Sequence, residues 1–183
     1  MLSRVDWEEK ILSLFAITYQ LRTLTTKAAF NISEVLRQTT LAQHCAKLLS
    51  IWTESKEIYF LQLEAFWILT NLARGDESDV ALLLSDDLPG YNLSLNLLGI
   101  TNSYLRKLQN DDMQDLKMFT QICWFIGNLV FTSDDIAKEV QQETAMIECC
   151  LMLLDKNQVL HPSVLEKLYW ALVKFNLPGL PQD

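Results

Sequence analysis

Two tryptophan–asparagine pairs are the residues of this chain whose types and spacing could bind a ligand. Trp67 is followed by Asn71, and Trp124 by Asn128, in both cases four residues later. Because four residues make about one turn of an α-helix, each ring and its amide would lie on one helix face. The face of an indole attracts cations, and a carboxamide both donates and accepts hydrogen bonds. Such a pair could hold a lysine side chain and the backbone of an extended peptide.

A third segment repeats the tryptophan but changes its neighbour. Trp170 is followed four residues later by Lys174, so a cation takes the place of the asparagine. The candidate peptide-binding residues are Trp67, Asn71, Gln121, Trp124, Asn128 and Trp170. The same residues have a purely structural interpretation, in which the rings pack on the next helix and the amides bond neighbouring backbone. The sequence leaves both interpretations open.

Catalytic and metal-binding patterns find little support, and we expect no enzyme and no cofactor. The sequence has no glycine-rich phosphate loop, no Ser/His/Asp pattern and no H-E-x-x-H motif. The carboxylate pairs at 86–87, 111–112 and 134–135 stand at expected turns or helix starts, which indicates capping. His44 and His161 lack the spacing of zinc ligands. The four cysteines form no C-x-x-C pair and are expected to be buried free thiols of an intracellular protein, cytoplasmic or nuclear.

Composition and charge narrow the choice of partner. Half of the 183 residues are hydrophobic, and the formal net charge is -8. An acidic chain is a poor ligand for nucleic acid, so we expect no nucleic-acid partner. A basic peptide or protein surface fits better, although a merely solvated acidic surface explains the charge equally well. The longest uncharged run, 88–105, contains Pro89, Gly90, three Asn and two Ser, so we expect no membrane insertion.

The elements that must position the pairs are predicted to be helices throughout. Apolar residues recur with a period of 3.6 on the side opposite each tryptophan: Leu61, Ala65, Leu69 and Leu72 in one helix, and Phe119, Ile122, Ile126 and Leu129 in the next. Shorter helices are predicted at 41–52, 135–142 and 144–154, with Ser133 or Asp134 as a cap. Residues 1–40 should form a helical cap. It would pack on the first repeat through apolar residues at helical spacing: Ile11, Leu14, Ile17, Leu21 and Leu24.

The spacing of the tryptophans is typical of a helical repeat. From Trp124 to Trp170 there are 46 residues, the size of one armadillo or HEAT repeat. The earlier interval of 57 residues is expected to hold an insertion around 88–110. We therefore predict an all-α chain in which 41–183 form an armadillo/HEAT-like right-handed solenoid of about three to four repeats.

The segments Phe-Trp-Ile-Leu-Thr-Asn-Leu-Ala-Arg-Gly (66–75) and Trp-Phe-Ile-Gly-Asn-Leu (124–129) resemble the third helix of armadillo repeats in the importin alpha family. The resemblance extends from about 41 to 177. It implies a ladder of tryptophans along a groove, with lysine stems between the rings and asparagine amides on the peptide backbone. Trp67, Asn71, Trp124 and Asn128 would take those roles, and Gln121 would match a polar groove position. A function in nuclear import or protein transport would follow.

Departures from that family leave two functional hypotheses. The family has about ten repeats and a basic amino-terminal segment, whereas this chain has room for three to four and shows no such segment. Lys174 would repel a basic ligand at the third position. One hypothesis is an adaptor that binds an extended basic peptide in the groove. The other is a structural subunit of a larger assembly, a scaffold whose groove is vestigial or permanently filled.

Overall fold

Ten α-helices make up the regular structure in the computed structural model, which describes residues 4–27, 30–52, 55–85, 96–111, 113–155, 160–172 and 174–175. In these ranges no β-strand occurs, which confirms the predicted all-α class. The helices are α1 (Arg4–Thr25), α2 (Ile32–Gln38), α3 (Leu41–Leu49), α4 (Lys56–Leu72), α5 (Glu77–Leu84), α6 (Leu97–Asn110), α7 (Leu116–Thr132), α8 (Asp134–Glu143), α9 (Met146–Asp155) and α10 (Pro162–Leu172).

Polar side chains define where several of these helices begin. Ser55 and Asp115 accept a hydrogen bond from the third backbone N–H of α4 and α7, the helices that carry the two tryptophan–asparagine pairs. Ser133 caps α8 by accepting from the N–H of Asp135, the second residue of that helix, so of the two predicted caps, Ser133 and Asp134, it is Ser133 that acts. Each cap satisfies one of the N–H groups that have no partner inside the helix.

The chain divides into two compact units, Met1–Ile100 and Thr101–Asp183. In the first unit, α4 is the central helix and packs against α1 and α3. Its predicted apolar stripe is confirmed, because Leu61, Ala65, Leu69 and Leu72 are fully buried. The proposed boundary near residue 40 between a cap and the repeats stays a prediction.

In the second unit the central helix is α7, which packs against α10 and α8. Phe119, Ile122, Ile126 and Leu129 are fully buried, so the second predicted stripe is confirmed as well. On α10, Leu168 and Ala171 point into the same core. The helices that bear Trp67, Trp124 and Trp170 are thus α4, α7 and α10, and two shorter helices separate each from the next along the chain.

Two expectations about local structure need correction or qualification. Helix α1 buries its predicted stripe only in part, since Ile11 is buried and Leu21 half-buried, whereas Leu14, Ile17 and Leu24 are 43%, 53% and 45% exposed. Besides Ile11, helix α1 contacts its unit through the polar residues Thr18, Arg22 and Thr25. The segment expected to be an insertion, 88–110, contains the regular helix α6, while its part at 88–95 lies outside the described residues. The number and handedness of repeats stay predictions.

No helix in the described ranges is both long and apolar enough to cross a membrane.

Candidate functional site

In the first unit, helix α1 lies on the face of α4 that carries Trp67 and Asn71. The guanidinium carbon of Arg22 stands 4.2 Å from the centre of the Trp67 ring and 4.5 Å from that of Tyr19. The Nε of the same arginine lies 3.0 Å from Glu64 Oε2 on α4. The indole that could have received a ligand cation therefore already holds a cation of its own chain, and that cation is also paired with a carboxylate.

The amide of Asn71 is used in the same contact. Asn71 is buried, and its Nδ2 donates to Thr25 Oγ1 at 2.9 Å. The Thr25 hydroxyl in turn donates to the backbone carbonyl of Arg22 at 2.7 Å. Asn71 is thereby linked through Thr25 to the backbone of the last turn of α1. Arg22 meets Trp67 and Thr25 meets Asn71, so residue numbers increase in the same direction along both helices. Helices α1 and α4 are therefore parallel neighbours.

In the second unit, α10 covers the corresponding face of α7. Lys167 Nζ lies 4.4 Å from the centre of the Trp124 ring. Trp170 Nε1 donates to Asn128 Oδ1 at 3.0 Å. The pairs 167 with 124 and 170 with 128 again run in the same direction, so α7 and α10 are also parallel. Both units thus repeat one arrangement, in which a neighbouring helix places a cation on the tryptophan and a polar group on the asparagine.

The ring of Trp170 is held on three sides. It stacks on Phe131 with ring centres 4.4 Å apart and planes inclined by 22°. The edge of the ring lies against Gly127. A Cβ atom added at position 127 would lie only 2.0 Å from Trp170 Cδ1. Its N–H bonds Asn128 as described above. Since a side chain at position 127 would occupy the space of the indole, glycine is what permits this close approach of α10 to α7.

Lys174, which replaces the third asparagine, has a local acidic partner. Its Nζ lies 3.3 Å from Asp134 Oδ1 at the start of α8. Both side chains are substantially exposed, so the ion pair contributes little to stability. It nevertheless means that the positive charge at this position is partly offset by the chain itself.

Of the six predicted site residues, five therefore contact a neighbouring helix of their own unit: Trp67, Asn71, Trp124, Asn128 and Trp170. Gln121 is half-buried on α7. Sequence reasoning missed Arg22, Thr25 and the role of Lys167. Arg22 and Thr25 belong to no tryptophan–asparagine pair, because Trp7, the tryptophan that precedes them on α1, is followed four residues later by Ile11 and not by asparagine. Lys167 aligns with Glu64 and Gln121, three residues before each tryptophan, but this alignment gives no sign that Lys167 contacts Trp124.

Burial destabilises the charged form of Glu64, although Arg22 lies beside it. Burial raises the pKa of the Glu64 carboxyl above its usual value, and the nearby Arg22 charge opposes that shift without cancelling it. An ionised carboxylate at this position is therefore less favourable in the folded chain than in water.

The pKa of Glu64 predicts a pH dependence. A raised folded-state pKa contributes stability below the ordinary glutamate pKa, and that contribution is lost as the pH rises through the folded value. We expect the wild-type chain to lose stability relative to Glu64→Gln as the pH increases from about 4. Urea unfolding at several pH values, followed by circular dichroism, measures the difference.

Glu57→Gln is the matched control for this prediction. The Ser55 hydroxyl donates to Glu57 and lowers the pKa of that carboxyl. A lowered pKa reverses the sign, so the wild type should gain stability over Glu57→Gln as the pH rises. If the stability difference between wild type and variant changed with pH in the same direction for Glu57→Gln and Glu64→Gln, burial would not be what destabilises the charged form of Glu64.

The cysteines do not form a reactive site. All four are free and buried. Burial raises the pKa of Cys45 to about 12 and that of Cys149 to about 12, and it raises the pKa of Cys123 and Cys150 as well. Thiols with such values are protonated at neutral pH and are poor nucleophiles. Among the residues described, no group of three or more histidine, cysteine or acidic side chains is placed to hold a metal ion.

Neither a scan against protein-family models nor a search of curated proteins finds a match for this chain. The all-helical architecture and the paired tryptophan–asparagine contacts are thus the features on which a functional proposal can rest.

Proposed function

We propose that this chain is a structural module of a larger protein assembly, an armadillo-like helical array whose tryptophan–asparagine face is permanently occupied by its own helices. One observation carries the proposal. In both units, the indole face and the amide that would receive a peptide are already engaged by a neighbouring helix, α1 in the first unit and α10 in the second. The pairs then join spatially neighbouring helices, α1 with α4 and α7 with α10, instead of binding a ligand.

Energetics favour the internal occupant over an external peptide. A lysine stacked on an indole contributes about 0.5–2 kcal/mol. A peptide lysine that displaced Lys167 from Trp124 would gain a contact of the same kind as the one lost. At Trp67 it would also separate Arg22 from Glu64 and leave a partly buried carboxylate without its partner. Groups tethered in the same chain compete at an effective concentration in the millimolar range, so a peptide at micromolar concentration loses.

The peptide-binding adaptor is the second candidate, and one feature favours it. Arg22 over Trp67 and Lys167 over Trp124 are the kind of contact that a basic peptide would make. If α1 or α10 were released, an extended basic segment could take its place. The acidic net charge of -8 would assist the approach of such a ligand.

A titration separates the two candidates. A synthetic lysine-rich peptide is added to the full chain and the heat of binding is measured. A permanently occupied face predicts no saturable binding up to about 100 µM peptide, well below the millimolar effective concentration of the tethered groups. The variant Trp67→Ala/Trp124→Ala should then lose about 2–4 kcal/mol of unfolding free energy for each half-buried ring.

The control is Trp52→Ala. Trp52 is 54% exposed in the segment after α3, so its replacement should lower the unfolding free energy only slightly. Saturable binding that weakens with added salt and disappears in the double variant would overturn the structural proposal in favour of the adaptor. A double variant as stable as the wild type would also count against it.

A further inference from the structure

We draw no further inference here: the strongest candidate, the apolar face that Leu14, Ile17 and Leu24 leave exposed on helix α1, carries no proposal because nothing in the structure shows what covers it.

Discussion

Replacing Trp170 by alanine is expected to lower the unfolding free energy of the second unit by about 2–4 kcal/mol. The substitution removes the stack on Phe131 and the hydrogen bond to Asn128 Oδ1, and it leaves a cavity beside Gly127. The expected loss is below that of a fully buried tryptophan because this ring is only half-buried. Urea unfolding followed by far-ultraviolet circular dichroism measures the change without depending on tryptophan fluorescence.

The adjacent residue provides a matched control for this prediction. Tyr169 is 68% exposed on the same helix, so Tyr169→Ala should change the unfolding free energy by less than about 0.5 kcal/mol. Trp170→Phe keeps an aromatic ring but loses the N–H donor, and it should fall between the wild type and Trp170→Ala. Equal stabilities for Tyr169→Ala and Trp170→Ala would show that the contact between α7 and α10 does not depend on the indole.

Replacing Gly127 by alanine is expected to destabilise the same unit by about 1–3 kcal/mol, the cost of overpacking a well-filled site. The added methyl group would lie 2.0 Å from Trp170 Cδ1 and 2.8 Å from Cγ, so the ring or the whole of α10 must shift. Elsewhere in a helix the same change would gain up to about 1 kcal/mol, because alanine favours helix more than glycine does. The steric term is the larger one at this position. Urea unfolding of Gly127→Ala measures whether the unfolding free energy falls, as expected, or rises.

A double-mutant cycle makes this prediction specific. In the Trp170→Ala background the space beside Gly127 is empty, so Gly127→Ala should become neutral or stabilising. The two substitutions would then be strongly non-additive. Additive losses would indicate that Gly127→Ala acts on helix α7 itself and not on its contact with Trp170.

The sequence by itself determined the helical class and the inner faces of the central helices. Leu61, Leu69, Ile122 and Ile126 were identified from their period of 3.6 residues, and all four are buried. A cap for α8 at Ser133 or Asp134 followed from capping chemistry, and Ser133 is the residue that caps the helix. These features are local: they depend on residues within a turn or two of one another, and a burial pattern with helical period has few alternative explanations.

Only the tertiary structure decided which residues contact the tryptophan–asparagine faces of α4 and α7. The tryptophan–asparagine pairs could equally have lined an open groove, and nothing near Arg22 or Thr25 in the sequence shows that they reach Trp67 and Asn71. The apolar stripe of α1 was predicted to face the first repeat, yet Arg22 and Thr25 turn a different side of the helix toward α4, so that of the stripe Ile11 is buried while Leu14, Ile17 and Leu24 are exposed. Periodicity identifies a face but not its partner, because partners lie about 45 residues away along the chain and are selected by packing and charge together.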